Sequence, residues 1–327
     1  IETIPSEVIY SLTGKDKVNT KDFDTRIREL RPHVIHSHLL EAEFVSRYRT
    51  LTETLYITHW HGCHPPTDPR TFTDYFSRDT WWNINSINQL KRKYGSCNNH
   101  FLCISEFIKS YVKRALSVDD RLLNVVLNGT DLSNFKYEKV EKDNDKFVLI
   151  CIGGFHVYKN QIFLLKVMKQ IKQQGHKDIH LQLLGDGAER DRLEQFLRSN
   201  DLTETVHFLG YVNNPDNYLN RADVMVHSAI NEPFGLILLE AMSCRIPIVA
   251  FRSGGVPEIV EDGVTGYLTE VDDQKTFIES ILKLKNSPEA MDSIGGAGQI
   301  AVQNFGISEY VNRIENLYIE LIKESDK

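Results

Sequence analysis

The chain has 327 residues, of which 25% are charged, and a formal net charge of -7. That length accommodates two domains, each with its own core, while the acidic balance excludes a dedicated nucleic-acid binder, which would be basic. No apolar run approaches the roughly 20 residues of a bilayer-spanning helix, and Ile1-Glu2-Thr3-Ile4-Pro5 has neither the basic start nor the apolar core of a signal peptide.

Short Val- and Ile-rich runs alternate with longer helical patterns. In chain order, strands are predicted at residues 8–10, 34–37, 55–58, 101–104 and 124–126, then at 147–152, 180–184, 206–209, 223–227, 246–251 and 266–268. Continuous apolar strands separated by helices indicate parallel sheets covered on both faces, and the right-handed crossover rule makes them doubly wound and Rossmann-like. The stretch 137–146 is charged and poor in apolar residues, so it reads as a linker between an α/β domain at 1–136 and another at 147–307. A final helix from Ser308 to about Lys323 carries Val311, Ile314, Leu317, Tyr318, Leu321 and Ile322 on one face. It closes the second domain or crosses back to the first.

Five scattered cysteines (Cys63, Cys97, Cys103, Cys151 and Cys244) fit a reduced cytosolic setting. Cys97, His100 and Cys103 match no tight zinc pattern. In the first domain His36 and His38 end one strand, and Thr58-His59-Trp60-His61-Gly62 ends the next. Alternation points the members of each pair to one side of the sheet. No carboxylate at diagnostic spacing turns them into a metal site, and hydrogen-bonded core histidines are the default reading, with His61 the best site candidate because a glycine follows it. Residues 63–96 are rich in aromatics, Phe72, Tyr75, Phe76, Trp81 and Trp82, which read as helix core or, secondarily, as a sugar-stacking acceptor wall. The basic groups Lys91-Arg92-Lys93 and Lys109, Lys113, Arg114 read first as a solvated face and second as attraction to an anionic membrane.

The richest chemistry lies in the second half. Asn231-Glu232-Pro233-Phe234-Gly235-Leu236-Ile237-Leu238-Leu239-Glu240 sets two carboxylates eight positions apart, one on a turn and one on the apolar helix the turn opens. Helix-terminal amides favour an anion, so amides flanked by carboxylates suit a molecule with phosphate in its middle and hydroxyls at both ends. Gly153 and Gly154 leave the first strand of this domain ahead of Lys159, a candidate point charge for a diphosphate. Leu184-Gly185-Asp186-Gly187 is a G-x-G turn without the third glycine, hence a tight β–α turn rather than a dinucleotide fingerprint. Gly254-Gly255-Val256-Pro257-Glu258 forms another glycine-rich turn before a helix, and Asn128-Gly129-Thr130-Asp131 follows the last strand of the first domain.

Taken together these motifs resemble glycosyltransferase family 4, the retaining enzymes of the GT-B fold. Glu232 to Glu240 is similar to the family's E-x(7)-E motif, with Ala222 to Ser228 before it and Gly254 to Glu258 after it. Val34 to His38, His61-Gly62, Ile104-Ser105-Glu106 and Asn128 to Asp131 match its N-terminal landmarks. The resemblance implies two Rossmann-like doubly wound domains facing a cleft and transfer of a sugar from a nucleotide-diphosphate sugar to a glycan or lipid-linked acceptor. It implies that Glu240 holds the ribose, that Lys159 and the amides of Phe234, Gly235 and Leu236 hold the diphosphate, and that Glu232 and His61 meet the sugar. Gly153, Gly154, Asn128, Gly210 and Ser228 fall at donor-side positions. No cofactor, metal or nucleic acid is expected, and the setting is cytoplasmic, with peripheral contact at the inner membrane face as an additional expectation.

Two departures stand out. Gly154 occupies the position where many members carry Arg, which leaves Lys159 or Arg252 to meet the diphosphate. Nothing before Val8 matches the family's first Gly-rich loop, so roughly 40 or more residues of the first β-α unit are expected to be missing. Alternatives are a nucleotide-sugar-binding module without turnover and a GT-B sugar epimerase. A nicotinamide dehydrogenase lacks its fingerprint here.

Overall fold

The structure, a computed structural model, describes residues 7–9, 17–63, 78–142 and 145–325. Two compact units emerge, one formed by Ile1–Leu127 with Val311–Lys327 and the other by Asn128–Tyr310.

In the first unit, the elements in order are β1 (Glu7–Ile9), β2 (Lys17–Asn19), α1 (Lys21–Leu30), β3 (Val34–His38), α2 (Leu39–Ser46), β4 (Leu55–Trp60), α3 (Arg78–Tyr94), β5 (Asn99–Cys103), α4 (Glu106–Leu116) and β6 (Leu123–Val125). β3, β4, β5 and β6 lie side by side in a parallel sheet. Tyr56, Ile57, Phe101 and Leu102 of its two middle strands are fully buried, as strands covered on both faces must be. The predicted strand at 8–10 departs from expectation. It appears as β1, paired antiparallel with β2 (Val8 opposite Val18) in a two-stranded sheet of its own. Only residues 10–16 separate the two strands, too few for the dozen or so residues of a parallel crossover.

The second unit contains β7 (Phe147–Ile152), α5 (Gln161–Gln173), β8 (Ile179–Leu184), α6 (Arg190–Ser199), β9 (Val206–Gly210), α7 (Pro215–Arg221), β10 (Val224–His227), α8 (Leu236–Ser243), β11 (Ile248–Phe251), β12 (Gly266–Thr269), α9 (Gln274–Lys285) and α10 (Pro288–Ala301). Its six parallel strands run in the order β12-β11-β10-β7-β8-β9. The chain winds outward from β7 through β8 and β9, then returns to the other side of β7 with β10. The resulting switch point between β7 and β10 is where a doubly wound sheet opens a ligand crevice at its strand C-termini. Apolar helix faces cover the sheet, with Phe163, Phe251 and Phe277 meeting edge to face in the core.

The unit boundary falls earlier than the charged stretch suggests. Residues 128–136 cluster with the second unit because Thr130 N donates to Phe305 O at 3.0 Å and Ser243 Oγ donates to Phe135 O. The charged stretch is itself held to the same unit. Asn220 bonds Lys136 O and Glu138 N, and Lys142 pairs with Asp223 at 3.0 Å. The last helix, α11 (Ile307–Ser325), starts in the second unit and belongs to the first from Val311 onward, where Ile314 and Leu321 are buried.

A polar cluster lies inside the first unit. Arg47, at 1% exposure, donates to Asn99 Oδ1 and Thr58 Oγ1 (each 2.8 Å), to Ser46 Oγ (2.8 Å) and to Ser37 Oγ (3.0 Å). Removing this buried guanidinium takes a charged donor away from each of four acceptors and leaves a polar cavity. Arg47→Ala should therefore cost about 3 kcal/mol or more of stability, measured by urea unfolding. A loss well under 1 kcal/mol would show that water enters and replaces it.

Candidate active site

β7 and β10 are neighbours at the switch point, so the segments that leave their C-termini meet. After β7 the chain passes Gly153 and Gly154, makes a single 3-10 turn at Val157–Lys159 and enters α5. Two contacts fix this loop. The buried Gln161 side chain donates to Gly154 O at 3.0 Å, and Phe155 N donates to Asp186 O at 2.9 Å, which makes the Gly185-Asp186-Gly187 turn a support for the loop. From β10, Ser228 Oγ lies 3.0 Å from the carbonyls of both Lys159 and Asn160, and Ile230 N donates to Tyr158 O at 2.7 Å. Ser228 therefore acts on this site by holding the backbone that carries Lys159.

At the junction Lys159 Nζ donates to Glu232 Oε2 at 2.6 Å, and His227 Nε2 lies 3.1 Å from the same oxygen. Glu232 is 7% exposed and His227 2%. Burial alone opposes ionisation of Glu232, but hydrogen bonding and attraction to His227, followed by those to Lys159, outweigh it and hold the carboxyl at about 2. The turn bearing Glu232 is fixed from behind by Gly255 N donating to Glu232 O (2.8 Å) and by Asn231 N donating to Ser253 Oγ (2.8 Å). Only glycine fits at 254, where φ is +64° and a Cβ would stand 2.0 Å from Glu232 O.

α8 begins after Gly235, whose φ of +108° turns the chain into the helix. The Phe234 side chain is buried beside Phe305, so this residue can offer a ligand only its backbone. Leu236 is 40% exposed at the helix start. Glu240 follows one turn later, half-buried. Among the described residues no hydrogen bond or ion pair engages its carboxylate, and burial pushes it up to about 7. Gly210 ends β9 and accepts from Gly185 N at 2.8 Å. Arg252, the alternative diphosphate cation, is tied to Asp262 at 2.6 Å and approaches Glu270 at 3.6 Å. Asn128 is the first residue of the second unit.

The structure thus brings Lys159, Glu232, Ser228 and the 254–255 turn together. It adds His227, which sequence reading placed only in a flanking strand although it immediately precedes Ser228 at the strand end. Gln161 left no signal of its own. His61 belongs to the first unit, where it sits 2.8 Å from His38 Nδ1 and stacks on His59 with ring centroids 4.1 Å apart. Phe72, Tyr75 and Phe76 lie outside the described residues, while Trp81 and Trp82 fall within α3.

The family described as Glycosyl transferases group 1 matches residues 133–300, just over half of the chain, and Glycosyltransferase Family 4 matches residues 7–134. The chain belongs to this glycosyltransferase family, and its fold is of the GT-B type. It is 30% identical over 195 residues to the N-acetyl-alpha-D-glucosaminyl L-malate synthase of Bacillus anthracis, covering 59% of this chain and 50% of that protein. It is 26% identical to the phosphatidylinositol N-acetylglucosaminyltransferase gpi3 subunit of Schizosaccharomyces pombe, covering 73% of this chain and 56% of that one. The chain thus spans only about half the length of these relatives. The crystal structure of Anabaena HepE with UDP-glucose superimposes with a TM-score of 0.72 at 20% identity, over 91% of this chain and 82% of that chain.

The raised Glu240 value carries a stability signature. An acid whose folded value lies above its ordinary value of 4.5 loses folded-state stability as pH rises from there through about 7. Glu240→Gln, which mimics the protonated form, should stabilise the protein by about 2 kcal/mol at pH 8 and by almost nothing near pH 4.5. Denaturant melts at the two pH values measure this, and a gain independent of pH would contradict it.

Proposed function

We propose that the protein is a retaining, metal-independent glycosyltransferase that takes its sugar from a nucleotide-diphosphate donor bound on the second unit. The observation that carries the reading is the Lys159–Glu232–His227 cluster at the switch point, beside a helix whose half-buried Glu240 carboxylate has no hydrogen-bond or ion-pair partner among the described residues. A ribose diol would supply the donors that the Glu240 carboxylate lacks. Lys159 and the amides of Phe234, Gly235 and Leu236, with the open backbone at Gly153 and Gly154, would receive the diphosphate.

The chemistry follows from charge. Cleaving the glycosyl–phosphate bond builds positive character on the sugar and negative charge on the departing diphosphate. Glu232, ionised across the physiological range, faces the first, and Lys159 serves the second. In the resting site Lys159 is bonded to Glu232. A bound diphosphate would share the ammonium, whose three donors can serve both partners, and would couple donor binding to the setting of Glu232. A preorganised cation and amides supply the charge stabilisation that other transferases obtain from a divalent ion. Retention and the sugar-contacting role of His61 rest on the family resemblance.

Supporting the donor class, a neighbour of like fold was solved with UDP-glucose, and two relatives are named for N-acetylglucosaminyl transfer. UDP-sugars are therefore the first donors to test. The acceptor is a glycan or a lipid-linked molecule. Among the described residues no helix is long and apolar enough to cross a membrane.

A thermal-shift screen of UDP-, GDP- and ADP-sugars, followed by detection of released nucleotide, tests the reading. At least one class should raise the melting temperature and be turned over. Failure of all three to bind would overturn it. Glu232→Gln should retain donor binding yet lose about a hundredfold or more in turnover, and an active Glu232→Gln protein would remove that residue from the mechanism. Lys159→Ala should weaken donor affinity by about tenfold or more, as calorimetry would show. Transfer should persist in EDTA, and a loss restored by added divalent ion would contradict metal independence.

A further inference from the structure

The sheet of the first unit carries the pattern His-x-His twice, at the ends of β3 and β4. Parallel register sets His38 opposite His59, and the two-residue period places His36, His38, His59 and His61 on one face. Their rings form a continuous stack with neighbouring centroids 4.1 to 5.0 Å apart. His36 Nε2 lies 3.1 Å from His59 Nδ1, and the other nitrogen of His36 is bonded to the Tyr318 hydroxyl of α11. Among the described residues the buried Nε2 of His59 has no hydrogen-bond partner.

We propose that His36, His38 and His59 form a binding site for a divalent transition-metal ion of the zinc type. One ligand atom from each of the three lies within 4.8 Å of the others. Nitrogens sharing a tetrahedral zinc at 2.0–2.1 Å stand about 3.4 Å apart, so modest ring rotations close the site. Three imidazoles without a carboxylate select zinc, cobalt, nickel or copper over magnesium or calcium. Exposed His38 provides the entry path, buried His59 the anchor, and Tyr318 fixes which nitrogen His36 presents, as an outer partner does for a metal-bound histidine. A fourth coordination position remains for water. The proposed transfer reaction makes no use of this ion, and the site is tested without reference to transfer.

The probe is Co2+ added to the full 327-residue chain, followed by the visible absorption of low-coordinate cobalt. One equivalent should bind and be displaced by Zn2+. His38→Ala, an exposed substitution that leaves the core intact, should weaken the affinity by at least about tenfold, and His59→Ala should do the same. No cobalt spectrum above buffer, or wild-type affinity in His38→Ala, overturns the proposal. If His59→Ala does not fold, the His38→Ala titration decides alone.

Discussion

A carboxylate taken out of water must find partners or give up its charge, and the second unit is organised around keeping Glu232 charged. Its oxygen receives Lys159 from the β7 side and His227 from the β10 side. Each partner is fixed in turn. Ser228 holds the backbone of Lys159, the 154 carbonyl is held by Gln161, and Gly254 allows the chain to fold flat against the Glu232 carbonyl. Glu240 shows the opposite solution. With no hydrogen-bond or ion-pair partner among the described residues, its charge is disfavoured by burial. Two carboxylates on one turn-helix element thus differ in character because of what surrounds them.

Both units depend on the same sheet logic, expressed differently. In the second, reversal of the winding at β7 concentrates loop ends at one point. In the first, β3 to β6 follow one another without reversal among the described strands, and what gathers on the sheet face is a file of histidines rather than a charged cluster. Its rings stack and bond to one another, and to Tyr318.

Much of this was legible in the sequence because its carriers are local. Buried parallel strands are written as continuous apolar runs, so all the predicted strands of the two main sheets appear near their expected positions. The Glu232–Glu240 spacing and the glycines at 153, 154 and 254 sit at strand–helix junctions, where residue type and backbone shape are tightly linked. What escaped depends on partners distant in the chain. The Lys159–Glu232 pair joins residues 73 apart, and the buried Arg47–Asn99 bond joins residues 52 apart. Arg252 reads as a free cation until Asp262 and Glu270 are seen beside it. The sequence around Glu7–Ile9 marks a strand but not half of a hairpin, since apolar alternation reports extension and not the identity of the neighbour. The charged stretch before β7 looks like a tether because charge indicates exposure, whereas Asn220 and Asp223 secure it to the second unit.

The assignment of α11 to both units has a consequence for the order of events during synthesis. Asn128–Tyr310 is continuous in sequence, so all of it is made before Val311. The first unit is begun earlier but completed later, because Val311 to Ser325, including the tyrosine that anchors His36, follows the whole second unit in the chain. Its amino-terminal part must wait through the synthesis of a whole second unit with its closing helix absent. In this chain the usual precedence of the amino-terminal domain is inverted.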